Sequence, residues 1–507
     1  MSGLDGAFLS LESATTHLHI LGAIVFDPSD VEGGLNFLRI RDLVADRLAL
    51  VPPFRQRMVN QPFGLQHPRL ADDPDFDLDF HLHRARLPEP GGRRELAELV
   101  AGLASQPLDR SRPLWEFHVI EGLEHGHIAV IPKVHHSIID GVSGAEVMAA
   151  FFDLSPDRVP HTLFKRENGQ ERASRRSPGD GAGRPPTQDA GHGAAGQWSP
   201  PPLPGEVEGW RNILGSLPGQ ADALVRSISR SLQSARSTGD RARQSESSSS
   251  PALFEAPRTS INRAISSHRR VAFAQLSLAD VQCVKQVLGG TTNDVVLAAT
   301  SGAMRAFFAT RNEPLESALV AMVPVSVRAG SERDMLGNRL SALFVSLASG
   351  AEDPAMRYRQ IRGAALAAKA QSEAVGREVF SGWAEAVVPA VATRVSRLVT
   401  NLRLFDHLAP LFNLIVSNVP GPGVPLYMAG AKMVAMYPIG PIIEGVGVNV
   451  TVFSYLDAIY VGIQADWDLV PDIDVIAESI PESLAELVDA AGRKARPVPW
   501  WHAELPA

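Results

Sequence analysis

Hydrophobic and polar positions along the chain alternate with two different periods, and each change of period marks an element. From His127 to Val134 the run is almost wholly apolar and stops at a pair of histidines, which predicts a buried strand. Apolar residues return at helical spacing from Ser143 to Phe152. In the second half, Ser277-Leu278-Ala279-Asp280 reads as a capping box that opens a helix through Leu288, with Gly289-Gly290 as its stop. Asn293 to Arg311 is a second helical stretch, and Leu319 to Ser326 has the β-branched, apolar character of a strand. Val446 to Tyr455 and Ile459 to Gln464 read as two strands joined at Asp457-Ala458. Strands and helices mixed in both halves predict an α/β architecture with mixed (α+β) sheets.

Between these halves the pattern breaks down. From about Ser155 to Ala256 aromatic residues thin out while Gly, Pro, Ser and Arg accumulate, as in Ser174-Arg175-Arg176-Ser177-Pro178-Gly179. Such a segment buries too little apolar area to offset its ordering entropy, so it is expected to be largely disordered. An island at 210–232, carrying Ile213, Leu214, Leu217, Leu224, Ile228 and Leu232, keeps helical spacing with a break at Pro218. The expected organisation is a first lobe over 1–154, a linker over 155–256 with that helical island, and a second lobe over 257–500.

Composition adds boundaries rather than an identity. The net charge of −8 over 507 residues argues against a whole-chain electrostatic grip on nucleic acid. The single cysteine, Cys283, excludes an intrachain disulfide and sits among Leu278, Val281, Val284 and Leu288, where it reads as packing rather than nucleophile. The opening residues lack a basic, then apolar, secretory pattern, and no stretch approaches ~18 uninterrupted apolar residues. A cytoplasmic chain, with peripheral contact at the inner face of a membrane, is the expectation.

The sharpest chemical feature is His135-His136-Ser137-Ile138-Ile139-Asp140-Gly141, directly after the strand ending at Val134. An imidazole near neutral pKa can take a proton from a hydroxyl at physiological pH. Strand alternation sends the two histidines to opposite faces, so one can enter a cavity while the other packs behind it. Asp140 can hold the loop or orient a ring, and Gly141 supplies turn freedom. A metal site is not expected, because adjacent histidines on opposite faces rarely share an ion and no third ligand stands at a familiar spacing. From these residues alone, a pair of packed core histidines beside a turn is as good a reading as catalysis.

The order of several further segments settles which reading to carry forward. Leu4-Asp5-Gly6-Ala7-Phe8-Leu9-Ser10-Leu11-Glu12, Phe76-Asp77-Leu78 with His81, and Pro113-Leu114-Trp115 precede the histidines. Asn293-Asp294-Val295-Val296, Pro324-Val325-Ser326-Val327-Arg328, Gly337-Asn338 and Ser417-Asn418-Val419-Pro420-Gly421-Pro422 follow them. In this order the chain resembles the bacterial wax ester synthase/diacylglycerol acyltransferase family, within the coenzyme A-dependent acyltransferases related to chloramphenicol acetyltransferase. It departs from that pattern in having Leu70 near where a tryptophan is usual, and in the length of its linker.

The resemblance implies two chloramphenicol-acetyltransferase-like lobes with a tunnel between them. It also implies acyl-CoA as co-substrate with no permanently bound cofactor, and diacylglycerol as acceptor. A long-chain fatty alcohol, giving a wax ester, is the alternative acceptor. A non-catalytic lipid-binding role and a condensation-type reaction on carrier-protein thioesters are the readings from other classes. By the same resemblance His136 is the general base, while His135, Asp140 and Gly141 shape its loop, with Arg328 as a partner for Asp140. Asn293, Asn449 and Thr451 are candidate oxyanion or substrate contacts, with a helix N-cap the preferred reading of Asn293. Arg269, Arg270 and Lys285 could attract coenzyme A phosphates or stand as solvated charges. Docking on a membrane or lipid-droplet surface would use an amphipathic stretch such as Trp210–Leu232 or Trp383–Val399.

Overall fold

A computed structural model describes residues 3–59, 67–139, 144–157, 256–315, 317–326, 340–375, 403–406 and 409–496. The expected linker lies outside them from 158 to 255, as do Asp140, Gly141, Arg328, Gly337-Asn338 and the stretches 210–232 and 383–399.

The first half runs α1 (Gly3–Leu11), β1 (His19–Asp27), α2 (Phe37–Arg47), β2 (Gln56–Val59), β3 (Arg69–Asp72), β4 (Leu82–Arg86) and α3 (Arg93–Ala104). It continues with β5 (Trp115–Glu121), β6 (Ile128–His135), the one-turn α4 (His136–Ile139) and α5 (Gly144–Phe151). The second half runs β7 (Arg269–Ser277), α6 (Leu278–Leu288), α7 (Thr292–Thr310), β8 (Val320–Ser326), β9 (Leu340–Ser346) and α8 (Pro354–Val375). After these come β10 (Leu414–Pro420), β11 (Tyr427–Met428), β12 (Ala431–Ile439), β13 (Val448–Tyr455), β14 (Ala458–Asp466) and α9 (Ile473–Ala490).

Two six-stranded mixed sheets carry these elements, in the mixed α/β class that the residue pattern implied. The first has the order β11-β12-β1-β6-β5-β4 and the second β7-β14-β13-β10-β8-β9. In the first sheet only β4 and β5 run parallel; in the second, β10 is parallel to both β8 and β13. The first sheet is thus completed by β11 and β12, which come from the second half of the chain.

Side chains fix that crossing. The hydroxyls of Tyr455 and Tyr460, in the second sheet, donate to the β12 carbonyls of Met433 (3.1 Å) and Val434 (2.7 Å). Tyr437 of β12 packs on Phe273 of β7 and, edge to face, on Tyr460. The end of the first half is held to the same region: Asp153 exchanges backbone hydrogen bonds with Tyr427, and its carboxylate takes both 2.7 Å contacts from Arg47 Nη2.

The helices pack their apolar faces on these sheets. In α9, Ile473, Ile476, Ala477, Ile480, Leu484, Leu487 and Val488 recur at helical spacing and are buried against α7. Ser277 caps α6 by accepting from the Asp280 N–H at 3.1 Å. The Asp280 carboxylate does not complete the reciprocal box. It accepts the Arg496 N–H at 2.7 Å instead, a pairing across 216 residues that local pattern cannot announce. Gly289 ends α6 at φ +73°, a left-handed conformation that favours glycine.

Candidate active site

The histidine turn grows out of β6. Strand alternation places His135, Lys133 and Ile131 on one face and Val134, Pro132 and Val130 on the other. His135 stands in register opposite His19 of β1, and Lys133 opposite both Leu21 and Glu116. Beyond β6 the chain winds directly into α4, so His136 leaves the strand at the turn. Its N–H donates to the Leu18 carbonyl (2.9 Å), and its half-buried ring lies 4.5 Å from that of Phe8 at a 33° tilt.

His135 is 1 % exposed, which makes it the histidine of the pair that packs behind. Its Nδ1 accepts the Ser137 N–H at 3.1 Å and lies 2.7 Å from the Ser137 hydroxyl. In the neutral ring the proton therefore sits on Nε2. That atom is 3.3 Å from Glu12 Oε1, a charge contact without good hydrogen-bond alignment. Burial would raise the Glu12 carboxyl, but the contact with His135 and then the Arg110 guanidinium outweigh it and hold the group at about 2.

A buried polar row continues across the same face. His19 Nε2 meets the Ala104 carbonyl at 3.0 Å, and His17 stacks on His19 with centroids 5.6 Å apart. Burial, then the Arg269 charge, brings His17 down to about 4; burial, then Lys133, carries His19 well below its ordinary value. Both rings are therefore neutral near pH 7. Farther along, the ligand atoms of His83, Glu116 and His118 lie within 4.8 Å of one another. The Lys133 ammonium is 3.6 Å from the same Glu116 carboxylate. That buried cation already balances the carboxylate, so the cluster is a His–Glu–Lys network rather than a cation site. Among the described residues no other such group of three ligands occurs.

From the second half, the end of β12 arrives beside β1, with Leu21 opposite Ile439. The chain then passes Gly440, whose missing side chain leaves room for Asn449 and Thr451: a Cβ there would come within 2.7 Å of Asn449 Nδ2 and Thr451 Oγ1. Asn449 Nδ2 donates to the Pro441 carbonyl (2.7 Å), and the Thr451 hydroxyl donates to Asn449 Oδ1 (2.8 Å). The ends of β6 and β12 are two strand spacings apart, roughly 10 Å, so the histidine turn and this amide–hydroxyl pair face the same end of the sheet. One Asn449 N–H is left after these bonds.

Asn293 is placed elsewhere in kind. It stands in the first turn of α7, but the cap is Thr291, which forms a reciprocal box with Asp294 (2.7 and 3.3 Å). The N-cap reading of Asn293 is therefore two residues off. Arg269 is 2 % exposed and bonded to the Thr15 and Ser266 carbonyls, so it is committed to structure rather than to a phosphate. Arg270 stacks over Trp467 at 3.7 Å, Lys285 donates to Thr292 (3.1 Å), and Cys283 is half-buried in α6. Glu12, His17, His19 and Lys133 had no assigned role in the sequence reading; only the position of Glu12 at the end of the opening segment hinted at one. A cavity of about 760 Å³ lined by Arg93, Gln275, Asp280, Glu478 and Arg496 lies at the edge strand β7, with neither histidine in its wall.

Residues 1–296 match the wax ester synthase/diacylglycerol acyltransferase catalytic domain. Residues 336–488 match the C-terminal domain of the same family. The chain belongs to this family. It is an acyltransferase, and the histidine turn falls inside its catalytic domain. A protein of Mycobacterium tuberculosis (strain CDC 1551 / Oshkosh), provisionally named a diacylglycerol O-acyltransferase, is 34% identical over 97% of this chain and 90% of its own length. A second, from strain ATCC 25618 / H37Rv and named likewise, is 33% identical over 97% of this chain and 100% of its own.

Among solved structures, the wax ester synthase/diacylglycerol acyltransferase from Marinobacter aquaeolei VT8 superposes with a TM-score of 0.64 at 27% identity, covering 96% of this chain and 98% of that one. The first condensation domain of the calcium-dependent antibiotic synthetase shares the fold alone, with a TM-score of 0.53 at 14% identity over 98% and 96% of the two chains. The fold is that of two chloramphenicol-acetyltransferase-like lobes.

Proposed function

We propose that this acyltransferase moves a long-chain fatty acyl group from coenzyme A to the free hydroxyl of diacylglycerol, giving triacylglycerol and free coenzyme A, with His136 as general base. The observation that carries the reading is the position of His136. It leaves the end of β6 within the matched catalytic domain, backed by a buried, tautomer-fixed His135.

In the proposed step, a ring nitrogen of His136 takes the hydroxyl proton as the alcohol oxygen attacks the thioester carbonyl. The tetrahedral intermediate collapses with loss of the thiolate, and the imidazolium returns its proton to sulfur. The C–S bond is exchanged for a C–O bond, and no acyl-enzyme is needed. The remaining Asn449 N–H is the candidate oxyanion donor from the second half of the chain. Asp140 and Gly141 are assigned the shaping of the loop.

The organisation that goes with this reading is a lobe at 1–154, a linker at 155–256 and a lobe at 257–500, with the substrates meeting in a tunnel between the lobes. No described helix is long and apolar enough to cross a membrane, so the acceptor is taken from a lipid surface by peripheral contact. A long-chain alcohol is the second acceptor to consider, because the family and its Marinobacter member carry wax ester synthase in their names. The Mycobacterium relatives, at higher identity, favour diacylglycerol.

Labelled palmitoyl-CoA offered separately with diacylglycerol and hexadecanol tests the choice. Labelled triacylglycerol as the faster product supports the reading; exclusive wax ester makes the alcohol the acceptor, and no ester from either overturns both.

A further inference from the structure

The catalytic turn is gripped from an unexpected side. The carboxylate of Glu12 ends α1 and touches three things at once. Oε1 lies 3.3 Å from His135 Nε2 and also accepts the Leu18 N–H at 3.3 Å. Oε2 accepts from Arg110, through Nε at 3.1 Å and through Nη2, while Arg110 Nη2 also donates to the Leu9 carbonyl (3.1 Å). Leu18, whose N–H Glu12 accepts, is also the residue whose carbonyl receives the His136 N–H. One buried carboxylate, its side chain 11 % exposed, thereby holds the His135 ring directly and the His136 backbone through one intervening residue.

The same short segment is anchored at its far end. Thr15 donates its hydroxyl to Glu444, in the loop between β12 and β13, and the Thr15 carbonyl accepts from Arg269 of β7. Residues 12–18 therefore connect the second half of the chain to the histidine turn.

We propose that Glu12 is a positioning residue: its carboxylate, braced by Arg110, fixes the His135 ring and the His136 peptide so that the His136 imidazole is held where it can take the acceptor proton. The proposal rests on His136 being the base. It assigns to Glu12 no contact with substrate. An anion suits the task because Nε2, the ring nitrogen left to carry the proton while Ser137 occupies Nδ1, lies 3.3 Å from it. A neutral amide at position 12 could still accept from Leu18 but would lose the charge that draws in both His135 and Arg110.

The test compares full-length wild type with Glu12→Gln, Glu12→Ala and His136→Ala in the palmitoyl-CoA assay, together with histidine NMR at fixed pH in which the His135 signal is assigned by its absence in His135→Gln. Glu12→Gln is expected to lower kcat by about 10-fold to 100-fold with KM for acyl-CoA within about twofold, the size expected when a reacting group is misplaced by a fraction of an ångström to an ångström. The His135 ring signals at fixed pH should move in Glu12→Gln, because the carboxylate 3.3 Å from Nε2 is gone while Ser137 still holds Nδ1.

Unchanged kcat in both Glu12 variants overturns the proposal. So does a kcat loss matched by an equal loss of folded protein with no shift in His135. Full activity in His136→Ala removes the base reading instead, and with it the purpose assigned to Glu12, while the His135 ring signals still report whether the carboxylate grips that ring.

Discussion

Gly462 of β14 lies directly beneath the carbonyl of Pro438 on β12, where the strand lent to the first sheet crosses the second. A Cβ at 462 would collide with that carbonyl and with the Ile439 side chain. Because β12 ends at Ile439, and Gly440 after it lies beside Asn449 and Thr451, this contact sets how closely the second half of the chain approaches the histidine turn. Gly462→Ala is expected to cost about 1–3 kcal/mol, the usual range for overpacking a well-filled site. Urea unfolding should show a lower midpoint at unchanged slope; an unchanged midpoint would mean that the crossing is loose.

The Arg47–Asp153 pair makes a second structural prediction. The two side chains are 3% and 9% exposed and joined at 2.7 Å, with Asp153 also bridged to Tyr427 through its backbone. Asp153→Ala leaves a buried guanidinium without its partner, expected to cost about 3–5 kcal/mol. Replacing both residues with apolar side chains of similar volume should cost less than the single change. Thermal or urea unfolding of the three variants distinguishes a coupled pair from two independent contributions.

Acid stability should follow His17. Its folded-state pKa of about 4 lies below the ordinary imidazole value, so the unfolded chain binds a proton that the folded chain refuses. Stability is therefore full above about pH 6.5 and falls as the pH drops toward about 4, at up to about 1.4 kcal/mol per pH unit for one such proton. Glu12, held at about 2, adds a separate loss that begins below its ordinary carboxylate value and is complete only as the pH passes through about 2. His17→Phe keeps the ring's volume against His19 and should make the decline between pH 6.5 and 4 shallower by one proton's share, His19 supplying a share of its own, while leaving the lower one. An identical pH profile would mean that His17 is protonated in the folded protein.

Asn449 should matter to rate more than to substrate affinity if its remaining N–H serves the developing oxyanion. Asn449→Ala is expected to lower kcat on the order of 10²-fold, the usual effect of losing one such donor. Since Asn449 also holds Pro441, Thr451→Val is the control: it removes the hydroxyl from the same pair without removing the N–H. Equal losses in both variants would assign the pair to holding the loop alone.

What the sequence made legible was local. The strand before the histidines, the helix from Leu278 to Leu288 and the hairpin at Leu456-Asp457 follow from apolar period and turn chemistry, and the structure has each within a residue or two. The turn itself was visible because two histidines beside a glycine interrupt a buried run. What was not legible joins distant segments. Nothing in residues 431–439 announces that they pair with β1, because an apolar strand suits many neighbours and register is decided by tertiary packing. The carboxylate of Asp280 turned to Arg496, and the cap of α7 proved to be Thr291 rather than Asn293, since several polar residues cluster at that helix start and only geometry selects one. Glu12 lay in an opening segment matched for family likeness alone; its contact with His135, at the end of the interior strand β6, has no local signature.

In the proposed reaction the imidazole of His136 takes the acceptor's proton. The most direct measurement is thiol release and ester formation from labelled palmitoyl-CoA and diacylglycerol by wild type and by His136→Ala, with circular dichroism confirming that both are folded. Loss of general-base catalysis should lower ester formation about 10²–10⁴-fold, with thiol release falling in parallel. A folded His136→Ala variant that forms triacylglycerol at the wild-type rate would contradict the claim.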